Sequence, residues 1–167
     1  MAPLGFFGRP NIDKMKRSHD TDGLIRALEY PNDPAIRSAA AGALGETGDP
    51  RAVRPLINAL NDDYEEVCVA AFKAIWTIGR PAVEPLMAGL RDDDSPHHDT
   101  IAKELVMIGE NGAVEPLVAA LADENERVAT AAAVSLAEIG APAVPPLIAG
   151  LKKGENPFCE IAAVVLA

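Results

Sequence analysis

Ala143-Val144-Pro145-Pro146-Leu147 closely repeats three earlier stretches, Ala52-Val53-Arg54-Pro55-Leu56, Ala82-Val83-Glu84-Pro85-Leu86 and Ala113-Val114-Glu115-Pro116-Leu117. The four start at positions 52, 82, 113 and 143, so the period is 30 or 31 residues. Self-similarity at that spacing marks a tandem array in which each repeat is one small structural unit. Every copy opens an apolar series at i, i+3, i+4 and i+7: Val53, Leu56, Ile57, Leu60; Val83, Leu86, Met87, Leu90; Val114, Leu117, Val118, Leu121; Val144, Leu147, Ile148, Leu151. That spacing lays one stripe along a helix. Pro55, Pro85, Pro116 and Pro146 fall in the first turn, where the backbone lacks an N–H partner in any case, and so they start the helix without breaking it.

A short acidic connection follows each first helix, and a second apolar stripe succeeds it, clearest as Val67, Ala71, Ala74, Ile75 and Ile78. Gly48, Gly79, Gly109 and Gly140 stand at equivalent places after these stripes, where a helix ends in a left-handed residue. A less regular unit fits ahead of the first copy, with Leu24, Ile25 and Leu28 in one helix and Ile36, Ala40, Ala43 and Leu44 in the next. Five units result, at about 20–49, 50–80, 81–111, 112–141 and 142–167. A capping helix over 11–19 precedes them, with Asn11 as N-cap, and residues 1–10 form a flexible leader. One helical pair buries too little apolar surface to fold alone, so the units must stack. The predicted fold is all-α, a right-handed α-solenoid of about five hairpins. The last unit stops before a Glu-Ile-Gly ending like Glu138-Ile139-Gly140, which predicts self-association or a longer parent chain.

Composition narrows the function. The net charge is -10 and the sequence pI about 4.7. The basic residues are scattered, with one local group at Lys14, Lys16 and Arg17, so a nucleic acid is not an expected partner. No run approaches the roughly 20 apolar residues of a membrane span. Two cysteines, Cys68 and Cys159, are too few for a disulfide-built secreted domain. They stand three units apart, beyond the reach of an intrachain bridge, and are expected as free thiols in a reducing cytoplasm.

Asp123 to Gly140, taken with Ala143-Val144-Pro145-Pro146-Leu147, resembles the HEAT-like repeats of the phycobilisome lyases, a repeat family found across bacterial and archaeal proteins. The resemblance spans about Asp20 to Ala167. It implies that the second helices line a concave surface and that an Arg follows the apolar residue near the start of each. The matching residues are Arg37, Cys68, His98, Ala129 and Cys159. Only the first unit keeps the Arg, so the inter-repeat ion pairs that these arginines normally make should be mostly absent, a small loss where such pairs are exposed. The implied concave positions are Ala35, Ser38, Ala39, Gly42 and Glu46; Glu66, Val69, Ala70, Lys73 and Thr77; Pro96, Asp99, Thr100, Lys103 and Met107; Arg127, Thr130, Ala131, Val134 and Glu138; and Pro157, Glu160, Ile161 and Val164. A face this mild, small and partly apolar suits a peptide, a helix or a second protomer.

The third unit departs from the others. His97 takes the slot of Ile36, Val67, Val128 and Phe158, and Glu104 takes that of Ala43, Ala74, Ser135 and Val165. Read structurally, Ser95 is an N-cap, Pro96 the first helical residue and His97 a peripheral residue whose ring tip reaches water. Read functionally, His97, His98 and Asp99 would be ligands of a metal, with Asp92, Asp93 or Asp94. Adjacent helical residues point about 100° apart, which opposes a shared ion. The resemblance also introduces iron hydroxylases that use His-Glu pairs on successive helices; no His-Glu dipeptide occurs here, and His19-Asp20 and His98-Asp99 come nearest. The acidic turns at Asn61-Asp62-Asp63, Arg91-Asp92-Asp93-Asp94 and Asp123-Glu124-Asn125-Glu126 suit helix N-termini. Trp76, where other units place Gly45, Val106 or Ala137, either fills a gap or is an exposed anchor of the kind that dominates interfaces.

The sequence thus points to a non-catalytic scaffold with no cofactor, binding a protein segment or another protomer through Val69, Lys73, Thr77, Asp99, Thr100, Lys103, Met107, Thr130, Val134 and Glu138. The competing class is an enzyme or enzyme subunit, of bilin-lyase or metal-dependent hydroxylase type.

Overall fold

A computed structural model of the chain describes residues 9–95, 97–109 and 114–151. The described residues form α1 (Ile12–Arg17) and then helix pairs: α2 (Thr21–Leu28) with α3 (Pro34–Thr47), α4 (Val53–Ala59) with α5 (Glu65–Ile78), α6 (Val83–Arg91) with α7 (His98–Gly109), and α8 (Val114–Ala120) with α9 (Glu126–Ile139). α10 (Val144–Leu151) follows, and there is no strand among the described residues. The partners of each pair pack together, and each hairpin stacks on the next. First helices α2, α4, α6, α8 and α10 adjoin in order as one layer, and second helices α3, α5, α7 and α9 as the other. This is an α-solenoid.

The repeat explains the core. Leu56, Leu86, Leu117 and Leu147, the closing residue of each AVxPL phrase, are at most 1% exposed. Burying each leucine contributes about 2 kcal/mol relative to leaving it in water. The second-helix stripe is equally closed, with Val67, Ala71, Ala74, Ile75 and Ile78 all buried. Side-chain caps fix several helix starts. Asn11 accepts from the Lys14 N–H, Asp20 from Gly23, Asp33 from Ala35, and Asn125 from Arg127 and Val128, each satisfying an amide the helix leaves open.

Three details depart from expectation. Short 3-10 turns at Pro50–Ala52, Arg80–Ala82 and Ala141–Ala143 precede the first helices, so the phrase's alanine ends a turn and its valine begins the α-helix. Gly48 is left-handed at φ 66 and ψ 9, but Gly79 and Gly140 pair a positive φ with ψ near the extended range, at -133 and -127. Both lead straight into the next 3-10 turn, whereas Asp49 intervenes after Gly48. In α10 Leu147 closes off, while Val144 is 37% and Ile148 43% exposed. The second helix expected in that unit, with Cys159, Pro157, Glu160, Ile161 and Val164, lies outside the described residues, as do most of the leader and Pro96.

One position per repeat sets how closely the second helices approach. α3 lies tightly on α5 because residue 45 is glycine; a β-carbon there would sit 2.7 Å from the Ala74 Cα. The equivalent residues at the next two junctions are Trp76 and Val106. α5 and α7 touch least and α7 and α9 are intermediate, so the approach is closest at the junction where this residue is glycine.

Candidate functional site

The face of the second-helix layer turned away from the core carries the sequence's candidate residues. Helical periodicity places Val69, Lys73 and Thr77 on one ridge of α5, and all are exposed. Lys103 and Met107 are exposed on α7, with Thr100 half-buried; Thr130, Val134 and Glu138 are exposed on α9. Asp99 lies within α7, its side chain outside the described residues. Ala131 is only 7% exposed and lies at the floor of this face, between the core and the groove beside α7. Between α7 and α9 the surface dips into a groove of about 540 Å³ lined by Leu90, His98, Ala102, Arg127, Thr130 and Val134, among others.

Four of the seven large apolar side chains left exposed among the described residues, Val69, Trp76, Met107 and Val134, sit on α5, α7 and α9. Trp76 is 46% exposed and presents a face to solvent. Its position one turn from Lys73 makes it part of the ridge, which repeat register alone left open.

The residue that follows the first apolar position of α3, α5 and α7 has a shared role the sequence did not reveal. Arg37 is buried. Its Nε and Nη2 donate to the Asp62 carboxylate at 2.7 and 2.8 Å, and Nη1 donates to the Tyr30 carbonyl at 3.0 Å. The guanidinium also lies over the Tyr64 ring, 5.4 Å from its centre. Asp62 is held below the usual carboxylate range, chiefly by the hydrogen bonds from Arg37. One unit on, Cys68 Sγ reaches the Asp62 carbonyl at 3.1 Å, and one further the His98 Nε2 lies 2.9 Å from the Asp92 carbonyl. All three side chains tie the helix to the loop carbonyl before it; only the arginine adds a bridge to the next repeat.

Among the described residues Arg37–Asp62 is the one ion pair made from that arginine position, and residues at other positions supply further pairs between units. Arg91 pairs with Asp123 and Arg127 with Asp93, both very short, while Arg54 reaches Asp92 at 3.3 Å and Lys16 reaches Glu46 at 2.6 Å. Asp123 stands two repeats on from Asp62, and Arg91, at the end of a first helix, pairs with it in place of the second-helix arginine whose slot His98 fills. The sequence hid this because the partner moved to another helix.

In the third unit, His97 Nδ1 lies 2.7 Å from the Asn61 side-chain amide, and Ser95 Oγ accepts from the His97 N–H at 3.3 Å. His97 and His98 thus engage different partners. Among the described residues no group of three or more His, Cys, Asp and Glu side chains is gathered as a metal would require. Glu104 faces inward as its register implies. It is 2% exposed, its Oε2 has no hydrogen-bond partner, and burial pushes its carboxyl up to about 7. Among the described residues no single helix is long and apolar enough to cross a membrane.

Stacked hairpins with an open second-helix face define a helical-repeat solenoid. The chain belongs to the HEAT-repeat family, whose repeats match residues 14–76, 53–129 and 83–167. The uncharacterized phycocyanin operon protein Z of Pseudanabaena tenuis is 31% identical over 84% of this chain and 73% of its own. The bilin biosynthesis protein PecE of Nostoc is 34% identical over 44% of this chain and 30% of its own. These relatives bear out the resemblance to HEAT-like repeats of the phycobilisome-lyase kind. A HEAT repeat-containing taxis protein of Halobacterium salinarum is 33% identical over 52% of this chain, which spans only 21% of that protein.

Proposed function

We propose that the chain is a non-catalytic scaffold that receives a protein segment or another protomer on its second-helix face, centred on Val69, Lys73, Thr77, Asp99, Thr100, Lys103, Met107, Thr130, Val134 and Glu138. One observation supports this reading above the others: large apolar side chains stand exposed on three successive second helices, where a monomer gains nothing from leaving them in water. The free thiol of Cys68 suits work in a reducing cytoplasm.

A photo-crosslinking residue placed at Thr77 or Thr130 should capture the partner in cells. The same residue at Glu84 or Glu115, exposed on the first-helix layer, should not. Capture only from the first-helix positions would refute the assignment of the face. The likeness to PecE favours a second reading, an enzyme subunit that handles a bilin. A bilin added to the purified chain would then show an absorbance change, and an unchanged spectrum would remove that reading.

A further inference from the structure

The face proposed above also has a charge pattern that selects its occupant. The protein as a whole carries a net charge of -10, and its loops hold most of its ion pairs. Lys73 and Lys103, in equivalent places on α5 and α7, are both exposed at the middle of the second-helix layer. One turn to either side of Lys73 its own helix offers Val69, Ala70, Trp76 and Thr77, none of them acidic, whereas Asp99 stands one turn before Lys103 on α7 and Glu138 lies at the far end of α9. These lysines flank the junction where the second helices are least tightly packed, and the exposed Trp76 and Met107 lie beside them, three and four residues along. The next residue in the same row is Val134, 50% exposed on α9.

We infer that the junction between α5 and α7 binds an acidic peptide segment in an extended conformation, its carboxylates taken by Lys73 and Lys103 and its apolar side chains by Trp76, Met107 and Val134. The inference rests on the reading of this face as a docking surface. Packed helices stand about 8–10 Å apart, so the row Lys73, Lys103, Val134 repeats at roughly that step. A polyproline II segment has three residues per turn and rises about 3.1 Å per residue, which brings every third side chain to one face at about 9 Å intervals. Such a segment crossing the helices meets one ridge residue per turn. Basic segments meet like charge at the centre of the face, and like-charge juxtaposition at an interface is costly.

Trp76 is the protein's single tryptophan, so its emission reports this junction alone. The probes are two end-blocked peptides, one repeating Glu-Leu-Pro and the other Lys-Leu-Pro, titrated into the full chain at low and moderate salt. The acidic peptide should shift Trp76 emission to the blue saturably and bind less tightly as salt rises, because exposed charges are screened beyond a Debye length of about 10 Å at 0.1 M. Lys73→Glu with Lys103→Glu should weaken it by about tenfold or more, while the surface change Glu84→Gln leaves it as it was. Binding of the basic peptide as tightly as the acidic one, no emission change with the acidic peptide, or an unaltered affinity in the double variant would each overturn the inference. If crosslinkers at Thr77 and Thr130 still capture a partner, the inference alone has failed; capture solely from the first-helix layer defeats both. The double variant alters only exposed side chains, and its unchanged circular dichroism and urea midpoint establish that it folds.

Discussion

Replacing Glu104 by alanine should tilt the pH dependence of stability in a way no packing change can imitate. The structure buries this carboxyl to 2% exposure, leaves Oε2 unpaired, and raises its folded value from 4.5 to about 7. Below the unfolded value both states hold the proton and Glu104 has no linkage cost. Between the two values the unfolded chain has released the proton while the folded chain keeps it, so folding becomes less favourable as pH rises. Above the folded value the cost is constant. One pKa unit corresponds to about 1.36 kcal/mol, so the plateau is about 3 kcal/mol. Ala43 and Ala74 hold the same register position in earlier units, so the variant has a precedent within the repeat. Any cavity or repacking term shifts its stability equally at every pH. The assay is urea unfolding followed by circular dichroism across about pH 4 to pH 8. The variant's advantage over the parent should grow by about 2 to 3 kcal/mol over that range. A difference that stays flat, or a Glu104 carboxyl that titrates near 4.5 in carbon-detected NMR of the folded protein, would refute the reasoning.

Two glycines three residues apart should respond oppositely to alanine. At Gly45 the new β-carbon meets the Ala74 backbone at 2.7 Å, and Gly45→Ala should destabilise by about 1–3 kcal/mol despite better helix propensity. At Gly42 nothing lies within 4 Å, and Gly42→Ala should stabilise by about 0.5–1 kcal/mol in the same urea assay. Arg37→Met should remove three hydrogen bonds and destabilise by about 2 kcal/mol, since it leaves a half-buried carboxylate behind. Because Arg37 lowers the folded value of Asp62 below 3.8, that contribution is present above the unfolded value and is lost as pH falls through the lowered folded one. The Arg37→Met protein should therefore lose less stability than the parent on acidification below about pH 4; equal acid limbs would show that the pair does not control it.

Much of this protein is legible as text because its core is written four times. The leucine closing each AVxPL phrase recurs at one register position and is buried in all four copies, so its burial follows from period alone, as does the inward aspect of Glu104. The glycine stops were visible too, but not that two of them lead into a 3-10 turn, since both backbone geometries call for the same residue. The ridge of Val69, Lys73, Thr77, Met107, Thr130 and Val134 was implied by the resemblance to HEAT-like repeats, and these side chains lie exposed on the second helices.

What sequence determined here is everything that depends on separation along one chain segment: helix starts, apolar stripes, the stacking of hairpins, the membership of each ridge. Tertiary structure decided what depends on the distance between neighbouring helices. A period states that units stack but not how closely, and that spacing comes from side-chain volume at a single register position. Gly45 lets backbones meet, while at the equivalent position of the next unit the indole of Trp76 stands 46% exposed. Ion-pair partners were likewise settled only in space, because a guanidinium reaches a carboxylate from whichever helix brings it within hydrogen-bonding distance, and Arg91 serves Asp123 where repeat register had placed His98.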